Sequence, residues 1–231
     1  MEEAMRHRIL CPICHNPKAL NEIVCGNCRK QMDSECFDSS MFRCPVCRYP
    51  LVDRIYSCEW CSSQSNVVFP VARYDGKLSY SVLDSFKFHG HKEMADVVAS
   101  YLDKGIKALD PLGCALLVPI PCSTTRLKRF GWDQMTEVCK ALGRPYLRML
   151  ENVDSERLQQ KRMDRRQRLE SSTSRFKIKS RFIKLLPEME SSKVIVVDDI
   201  ITTMSTMNSA IELLKEHGIK DVCGVSWLCE L

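Results

Sequence analysis

The sequence predicts an α/β protein in which a parallel sheet is covered by helices on both faces and is preceded by a cysteine-rich module. Short, uniformly apolar segments alternate with segments whose apolar residues recur at helical spacing in the last two thirds of the chain. The second observation is the cysteine content, 14 in 231 residues, of which nine fall within the first 61. We therefore expect a zinc-binding module over residues 1–66 and an α/β domain over residues 67–231.

The first module is built from four C-x-x-C pairs. Ten residues separate the first two pairs and ten separate the last two, and adding 33 to the first four cysteine numbers gives the last four, so the segment is a tandem repeat. The cysteines are Cys11, Cys14, Cys25, Cys28, Cys44, Cys47, Cys58 and Cys61. Because four thiolates complete a tetrahedral zinc site with no open position, we expect two structural zinc ions.

The spacing leaves the pairing of the C-x-x-C motifs open. Equal spacing favours two sequential sites, but a crossed arrangement that joins the first pair with the third is also compatible with it. Redox chemistry is disfavoured because no βαβ pattern surrounds these motifs. The chain begins without an apolar signal core, and its longest uncharged apolar run, 114–122, has nine residues against the roughly 20 of a membrane span. We expect a cytoplasmic protein with no membrane span and reduced thiols.

The elements of the α/β domain follow from the spacing of apolar residues. Uniformly apolar runs predict strands at 67–72, 115–120, 194–197 and 221–228. Apolar residues at i, i+3, i+4 and i+7 predict helices over 94–101, 135–142 and 207–214, and a further helix is expected over 78–88. We expect Gly218 to end the last helix.

The loop after the 194–197 strand is the strongest candidate site, because ligands of parallel sheets bind at the carboxyl ends of strands. Asp198 and Asp199 come first, followed by the hydroxyl residues Thr202, Thr203, Ser205 and Thr206 at the start of a helix. Amides at a helix N-terminus and hydroxyl donors suit a phosphate. The carboxylates suit ribose hydroxyls or a magnesium ion that keeps most of its waters. The alternative is a solvated strand end with Thr206 capping the helix.

These motifs resemble those of a known family. The run VVDDIITTMST resembles the phosphoribosyl pyrophosphate (PRPP) loop of type I phosphoribosyltransferases, and VPIPCSTTRLKRFGWDQ resembles the VP-x-P…R…RG-F-N-Q segment of the ComF (competence protein F) family. The paired C-x-x-C motifs, RYDGKL followed by FKFHG, QQKRMDRRQRLESSTSRF and IELLKEHGIKDV also match, in the family's order. The resemblance covers nearly the whole chain and implies a type I phosphoribosyltransferase-like sheet.

The resemblance also implies roles for individual residues. It assigns the ribose hydroxyls of Mg²⁺-bound PRPP to Asp198 and Asp199. Its 5′-phosphate loop comprises Thr202, Thr203, Met204, Ser205 and Thr206. The loop facing pyrophosphate begins at Pro121 and Cys122, and the matching catalytic basic positions are Arg126 and Arg129. Lys87 either reaches a phosphate or coats the surface.

Met204 departs from the family pattern, which has glycine at this position. A left-handed methionine there carries about 1–2 kcal/mol of strain, which would weaken PRPP binding about tenfold. Two hypotheses follow. Either the protein transfers the phosphoribosyl group to a nitrogenous acceptor, or it is a non-catalytic module that binds single-stranded DNA or partner proteins of DNA uptake. Met204 favours the second, and the retained carboxylates and hydroxyls favour at least PRPP binding.

A basic segment spans residues 157–184. It holds eleven Lys or Arg against two acidic residues, a net charge of +9, whereas the whole chain carries +5. A basic cover over pyrophosphate, a nucleic-acid contact and a solvated surface all fit this pattern. The candidate nucleic-acid contacts are Arg165, Arg166 and Arg168. The acceptor and the oligomeric state stay open.

Overall fold

The computed structural model describes residues 10–38, 41–44, 47–48, 50–51, 58, 66–74, 77–153 and 175–230. Its helices are α1 (Gly26–Glu35), α2 (Lys77–Phe88), α3 (Met94–Leu109), α4 (Thr124–Phe130), α5 (Gln134–Leu142), α6 (Ser180–Ile183) and α7 (Ser205–Glu216), with a 3₁₀ turn at Leu186–Met189. Its strands are β1 (Val68–Arg73), β2 (Leu116–Pro119), β3 (Leu150–Asn152), β4 (Phe176–Ile178), β5 (Lys193–Ile201) and β6 (Asp221–Cys229). Within these ranges, no helix has the length and apolar composition needed to cross a bilayer.

Four strands form a parallel sheet in the order β1-β6-β5-β2, which confirms the predicted α/β class. The central strands are uniformly apolar because both of their faces are covered. Ile195 and Val197 pack in one core, whereas Val194 and Val196 pack in the other. The first core includes residues of α3 and α5, and the second includes residues of α7.

Two close approaches show how tightly helices lie on the sheet. A Cβ added to Gly105 of α3 would lie 2.7 Å from a methyl group of Val225, and one added to Gly224 of β6 would lie 2.6 Å from the Met207 sulfur. Such distances are below van der Waals contact, so the sequence needs glycine on α3 and on β6 at these crossings.

The predicted elements are all present, with shifted ends. The largest shift is in α3, which was predicted over 94–101 and continues to Leu109. Among the strands it is in β5, which continues through Asp198 and Asp199 to Ile201 because Asp198 still pairs with Ser226 of β6. The antiparallel pair β3–β4, α1 and α4 were not predicted from the sequence. Gly218 has a φ of +94° directly after the last helix, as expected of the residue that ends it.

The cysteine-rich segment packs against β1, the edge strand of the sheet. Cys36 forms an antiparallel bridge with Ala72, and the Phe37 amide donates to the Val71 carbonyl at 2.9 Å. Beyond this edge, the Tyr101 hydroxyl donates to Asp33 of α1 at 3.1 Å. The segment thus covers backbone groups that an exposed edge would leave unpaired. The predicted boundary near residue 66 stays a prediction.

Candidate functional site

An open cavity of about 590 Å³ lies at the carboxyl ends of β2 and β5, where the sequence placed the chemistry. Its lining contains ten of the residues predicted for PRPP, namely Lys87, Pro121, Cys122, Arg126, Asp198, Asp199, Thr202, Thr203, Ser205 and Thr206. The fold therefore brings together side chains from α2, α4, β5, α7 and the two loops after β2 and β5. Lys87 and Thr206 both line the cavity although they are 119 positions apart in the chain.

The hydroxyl-rich loop lies between β5 and α7. Thr202, Thr203 and Ser205 are exposed towards solvent, while Met204 is only 4% exposed. Met204 has φ +59° and ψ −11°, which is the left-handed conformation that the missing glycine predicted. Its side chain packs in the same core as Ile201 and Met207, and its residue lines only a recess of about 30 Å³ inside the loop. Met204 is not among the residues that line the larger cavity.

Asp198 and Asp199 form the acidic floor of the cavity. Lys87 Nζ lies 2.7 Å from Asp199 Oδ1, so Lys87 does not simply coat the surface. Burial and the adjacent Asp199 charge raise the pKa of Asp198 to about 7. The Asp199 amide donates to Asp198 Oδ1 at 2.9 Å, which holds the first carboxylate in place. Asp198 and Asp199 both line the cavity, and the Lys87 cation at the end of α2 pairs with Asp199 of β5.

The loop after β2 is held by Asp133, the N-cap of α5. Asp133 Oδ2 accepts from the Cys122 amide and its Oδ1 accepts from the Thr136 amide, both at 2.8 Å. From the other side, Asn152 Nδ2 donates to the Cys122 carbonyl at 2.7 Å. Burial and the Asp133 charge raise the pKa of the Cys122 thiol to about 12, so it stays protonated and is a poor nucleophile.

The arginines of the site differ in where they lie. Arg126 lines the cavity, and its guanidinium lies 5.5 Å from the centre of the Phe88 ring. Arg129 is exposed on α4 with its guanidinium 5.0 Å from the centre of the Phe130 ring, and it is not among the residues that line the cavity. Its catalytic role stays a prediction. Arg175, which the sequence did not single out, lines the cavity and donates to Thr206 Oγ1 at 2.7 Å.

Three of the lining residues that were not predicted were missed for different reasons. Gln134 stands in the quoted WDQ motif, so a signal existed. Arg175 was counted only within a long basic segment. Asn152 lies on β3, a strand too short to be recognised from apolar spacing, and no sequence signal pointed to it.

The cysteines of the first module form two turns of the same geometry. In the first turn the His15 amide donates to the Cys11 carbonyl at 2.8 Å, and in the second the Arg48 amide donates to the Cys44 carbonyl at 2.9 Å. His15 and Arg48 both have positive φ, at +58° and +65°. An antiparallel bridge flanks each turn, between Leu10 and Pro17 in the first and between Arg43 and Pro50 in the second. The offset of 33 residues in the sequence is therefore repeated in the backbone.

The turns bring the sulfur atoms into two clusters. The metal-binding atoms of each cluster lie within 4.8 Å of one another, and the clusters are Cys11, Cys14, Cys25 and Cys28, and Cys44, Cys47 and Cys58. Sulfur–sulfur distances of 3.5–3.8 Å match the roughly 3.8 Å that 2.3 Å zinc–sulfur bonds require in a tetrahedron. The clusters could hold metal ions, and they are grouped sequentially.

The thiols of the first cluster interact strongly. Burial, together with the neighbouring thiols, raises the pKa of Cys28 far above its usual range. Burial also acts to raise the pKa of Cys11, but backbone hydrogen bonds outweigh it and lower that pKa to about 7. A cation at the centre would favour four thiolates, because it supplies the charge that the cluster lacks.

Four of the residues singled out from the sequence lie outside the described residues: Cys61, Arg165, Arg166 and Arg168. The eighth cysteine ligand and the predicted nucleic-acid contacts therefore stay predictions.

The comparisons agree with the geometry of the cavity. Residues 144–227 match the family model described as phosphoribosyl transferase domain, a segment that includes β5, the hydroxyl-rich loop and α7. The chain thus contains a phosphoribosyltransferase-type domain.

Two curated relatives match almost the whole chain. Competence protein ComFC of Streptococcus pneumoniae (strain ATCC BAA-255 / R6) is 27% identical over 215 residues, which is 92% of this chain and 84% of that protein. Competence protein ComFC of Bacillus subtilis (strain 168) is 24% identical over 231 aligned positions, which cover 92% of this chain and 91% of that protein. The resemblance to the competence protein F family is confirmed.

The similarity to solved structures adds little to these sequence comparisons. A hypoxanthine phosphoribosyltransferase from Staphylococcus aureus aligns with 61% of this chain and 74% of its own at 13% identity, with a TM-score of 0.34. A hypoxanthine phosphoribosyl transferase of Trypanosoma cruzi gives 0.33, at 13% identity over 62% of this chain and 74% of its own. These TM-scores are too low to define the fold, which rests on the observed sheet and the family match.

Proposed function

We propose that this chain binds PRPP with Mg²⁺ in the cavity and transfers the phosphoribosyl group to a nitrogenous acceptor. The observation that carries the proposal is the sequence of groups along one wall of the cavity. The paired carboxylates Asp198 and Asp199 end a buried strand, and the exposed hydroxyls of residues 202–206 follow at the N-terminus of α7. This order suits a sugar phosphate, with its hydroxyls on the carboxylates and its phosphate on the helix amides.

The rest of the cavity supplies positive charge. Lys87 and Arg126 line it together with Arg175, which is bound to Thr206. In the proposed reaction the acceptor nitrogen forms a bond to the anomeric carbon while the bond from that carbon to the pyrophosphate oxygen breaks. Lys87 and Arg126 would stabilise the negative charge on the leaving pyrophosphate.

Mg²⁺, when bound, would neutralise further charge on the pyrophosphate, and Asp198 and Asp199 would hold it through its water ligands. Their high burial favours a site that excludes bulk water. Met204 does not argue against this reading, because its side chain packs in the core rather than over the cavity.

Isothermal titration calorimetry with PRPP and Mg²⁺ tests the proposal. We expect saturable 1:1 binding by the parent protein and none by the Asp198→Asn, Asp199→Asn double variant, because both ribose acceptors lose their charge. Asp221→Asn is the matched control, since Asp221 lies at the opposite end of the sheet, is exposed and pairs with Lys193. Absence of binding by the parent protein would overturn the proposal.

We further propose two structural zinc ions, held sequentially by Cys11, Cys14, Cys25 and Cys28 and by Cys44, Cys47, Cys58 and Cys61. The sulfur clusters support this assignment. A cytoplasmic location, where thiols stay reduced, goes with it. The names of the two relatives support a role in competence. A role in DNA uptake is what the resemblance to the competence protein F family implies.

A second candidate function is binding of single-stranded DNA. Arg148, Lys179 and Arg181 line one depression together with a single acidic residue, Glu151. Burial and the two arginines lower the pKa of Lys179, and they outweigh the opposing effect of Glu151. Such mutual repulsion favours an anionic ligand. If the basic segment contacts DNA, affinity falls steeply with salt, and replacing Arg165, Arg166 and Arg168 with Ala flattens the log–log slope by up to about 0.7 per lost contact. Replacing Lys107 and Lys220, two exposed lysines outside residues 157–184, with Ala should leave the slope unchanged.

A further inference from the structure

Gln134 is a polar side chain that the protein buries but does not satisfy. It is 1% exposed, and neither Nε2 nor Oε1 has a hydrogen-bond partner among the residues that the structure describes. Gln134 nevertheless lines the cavity. An unsatisfied buried donor or acceptor destabilises a folded protein, so two such atoms on a residue that lines a cavity mark a place where a ligand can complete their hydrogen bonds.

The backbone around Gln134 is held rigidly towards the cavity. It is the first residue of α5, directly after Asp133, whose carboxylate binds both the Cys122 amide and the Thr136 amide at 2.8 Å. The backbone that carries the amide side chain is thus anchored beside the loop assigned above to pyrophosphate.

The chemistry of the side chain limits what it can bind. Pyrophosphate offers acceptors only, so it could satisfy Nε2 but never Oε1. The cavity already provides Lys87, Arg126 and Arg175 for anionic oxygens. A carboxamide with both arms free matches a ligand that carries an N–H donor next to an acceptor atom, as glutamine does when it binds the N6 and N7 edge of adenine.

We propose that Gln134 recognises the acceptor substrate, and that this acceptor is a planar nitrogen compound with adjacent N–H donor and lone-pair acceptor atoms, such as the amide or amidine edge of a nucleobase or a carboxamide. This rests on the proposed PRPP-binding function. It names both the residue that selects the acceptor and the chemical class that it selects.

The test has two separate titrations of the full chain. The first titration measures the binding of PRPP in the presence of Mg²⁺. The second adds adenine, hypoxanthine or nicotinamide to protein saturated with PRPP and Mg²⁺, under conditions in which phosphorus NMR shows that the pyrophosphate group stays attached. Nicotinate is the matched ligand control, because its carboxylate has no N–H donor. We expect at least one of the three amide or amidine compounds to bind and nicotinate to bind at least tenfold more weakly than nicotinamide.

Two variants test whether acceptor binding depends on the Gln134 side chain. Gln134→Met keeps the length of the side chain and removes both polar atoms, so acceptor affinity should fall at least tenfold while PRPP affinity changes less than about twofold. Its melting temperature without ligand should equal or exceed that of the parent, because two unsatisfied buried atoms are removed. Gln31→Met, on the exposed face of α1, should change none of these quantities.

The outcomes separate the two proposals. No PRPP binding by the parent protein removes the proposed function and this inference with it. PRPP binding without binding of any of the three compounds, or with equal acceptor affinity in Gln134→Met, overturns the inference alone. An equal loss of PRPP affinity in Gln134→Met would place the side chain on pyrophosphate and would also overturn it.

Discussion

Lys87 Nζ lies 2.7 Å from Asp199 Oδ1, and the two side chains are 13% and 8% exposed. This ion pair joins the end of α2 to the end of β5 across the mouth of the cavity. It places one positive charge beside two adjacent carboxylates, of which Asp198 already has a pKa of about 7. The pair therefore stabilises an acidic floor that would otherwise repel itself.

Lys87→Met should destabilise the protein mainly at high pH. At pH 8, above the pKa of Asp198, this carboxyl is mostly ionised, and removing the nearby cation should lower the free energy of unfolding by about 2–4 kcal/mol. At pH 5 a proton on Asp198 replaces part of the lost charge, so the loss should be smaller. Urea unfolding at the two pH values measures this difference. Lys107→Met, which breaks an exposed pair with Asp103, should cost under about 1 kcal/mol at either pH. Equal losses for Lys87→Met at pH 5 and pH 8 would contradict the argument.

Asp198 should make stability fall as pH rises. Its pKa is 3.8 ordinarily and about 7 in the folded protein, so between these values the folded state binds a proton that the unfolded state has released. The contribution of Asp198 is thus most favourable below pH 4 and is lost progressively as pH approaches 7. Asp198→Asn stays uncharged, so its stability relative to the parent should increase from pH 4 to pH 7 in urea unfolding. Asp221→Asn should show no such trend, and a flat difference for Asp198→Asn would exclude the raised pKa.

Met204 should show opposing effects of strain and burial. Met204→Ala keeps the left-handed strain and loses a buried side chain, at a cost of about 2–5 kcal/mol. Met204→Gly loses the same side chain but relieves about 1–2 kcal/mol of strain, so its stability should lie between those of parent and Ala variant. Thermal unfolding gives this order.

PRPP affinity should differ less than about threefold between the parent and Met204→Gly, because the left-handed conformation is already present without ligand. A tenfold tightening in the glycine variant would show that methionine obstructs the phosphate after all.

Cys25→Ser should remove one of two zinc ions and weaken the whole chain. Cys25 and Cys28 pack in the same apolar core as Val71 and Trp227, so loss of the metal should lower a single melting transition. Elemental analysis and calorimetry measure the two effects. Cys114→Ser is the control, because Cys114 is exposed and lies outside both clusters. Unchanged zinc content would exclude Cys25 as a ligand, and an unaffected main transition would mean that the module folds independently.

The elements that could be predicted from the sequence are those with a strong local signal. The long apolar stripes of α3 and α7 and the uniformly apolar β5 and β6 are recognisable because burial imposes a period on the sequence. The end of β5 was placed four residues too early, since Asp198 and Asp199 look like loop residues and are held in the strand only by β6. The antiparallel pair β3–β4 has three residues in each strand, too few to show a period.

The sequence by itself determined the class of fold, the tandem cysteine motif and the hydroxyl-rich loop, because each depends on residues close together in the chain. Only the tertiary structure decided which distant side chains share the cavity: that Lys87 meets Asp199, that Arg175 meets Thr206 and that Arg129 stays outside. It also decided the effect of Met204, whose backbone conformation was predictable from the missing glycine but whose side-chain direction depended on space in the core beside α7. Such contacts depend on how helices pack on the sheet, which no local pattern encodes.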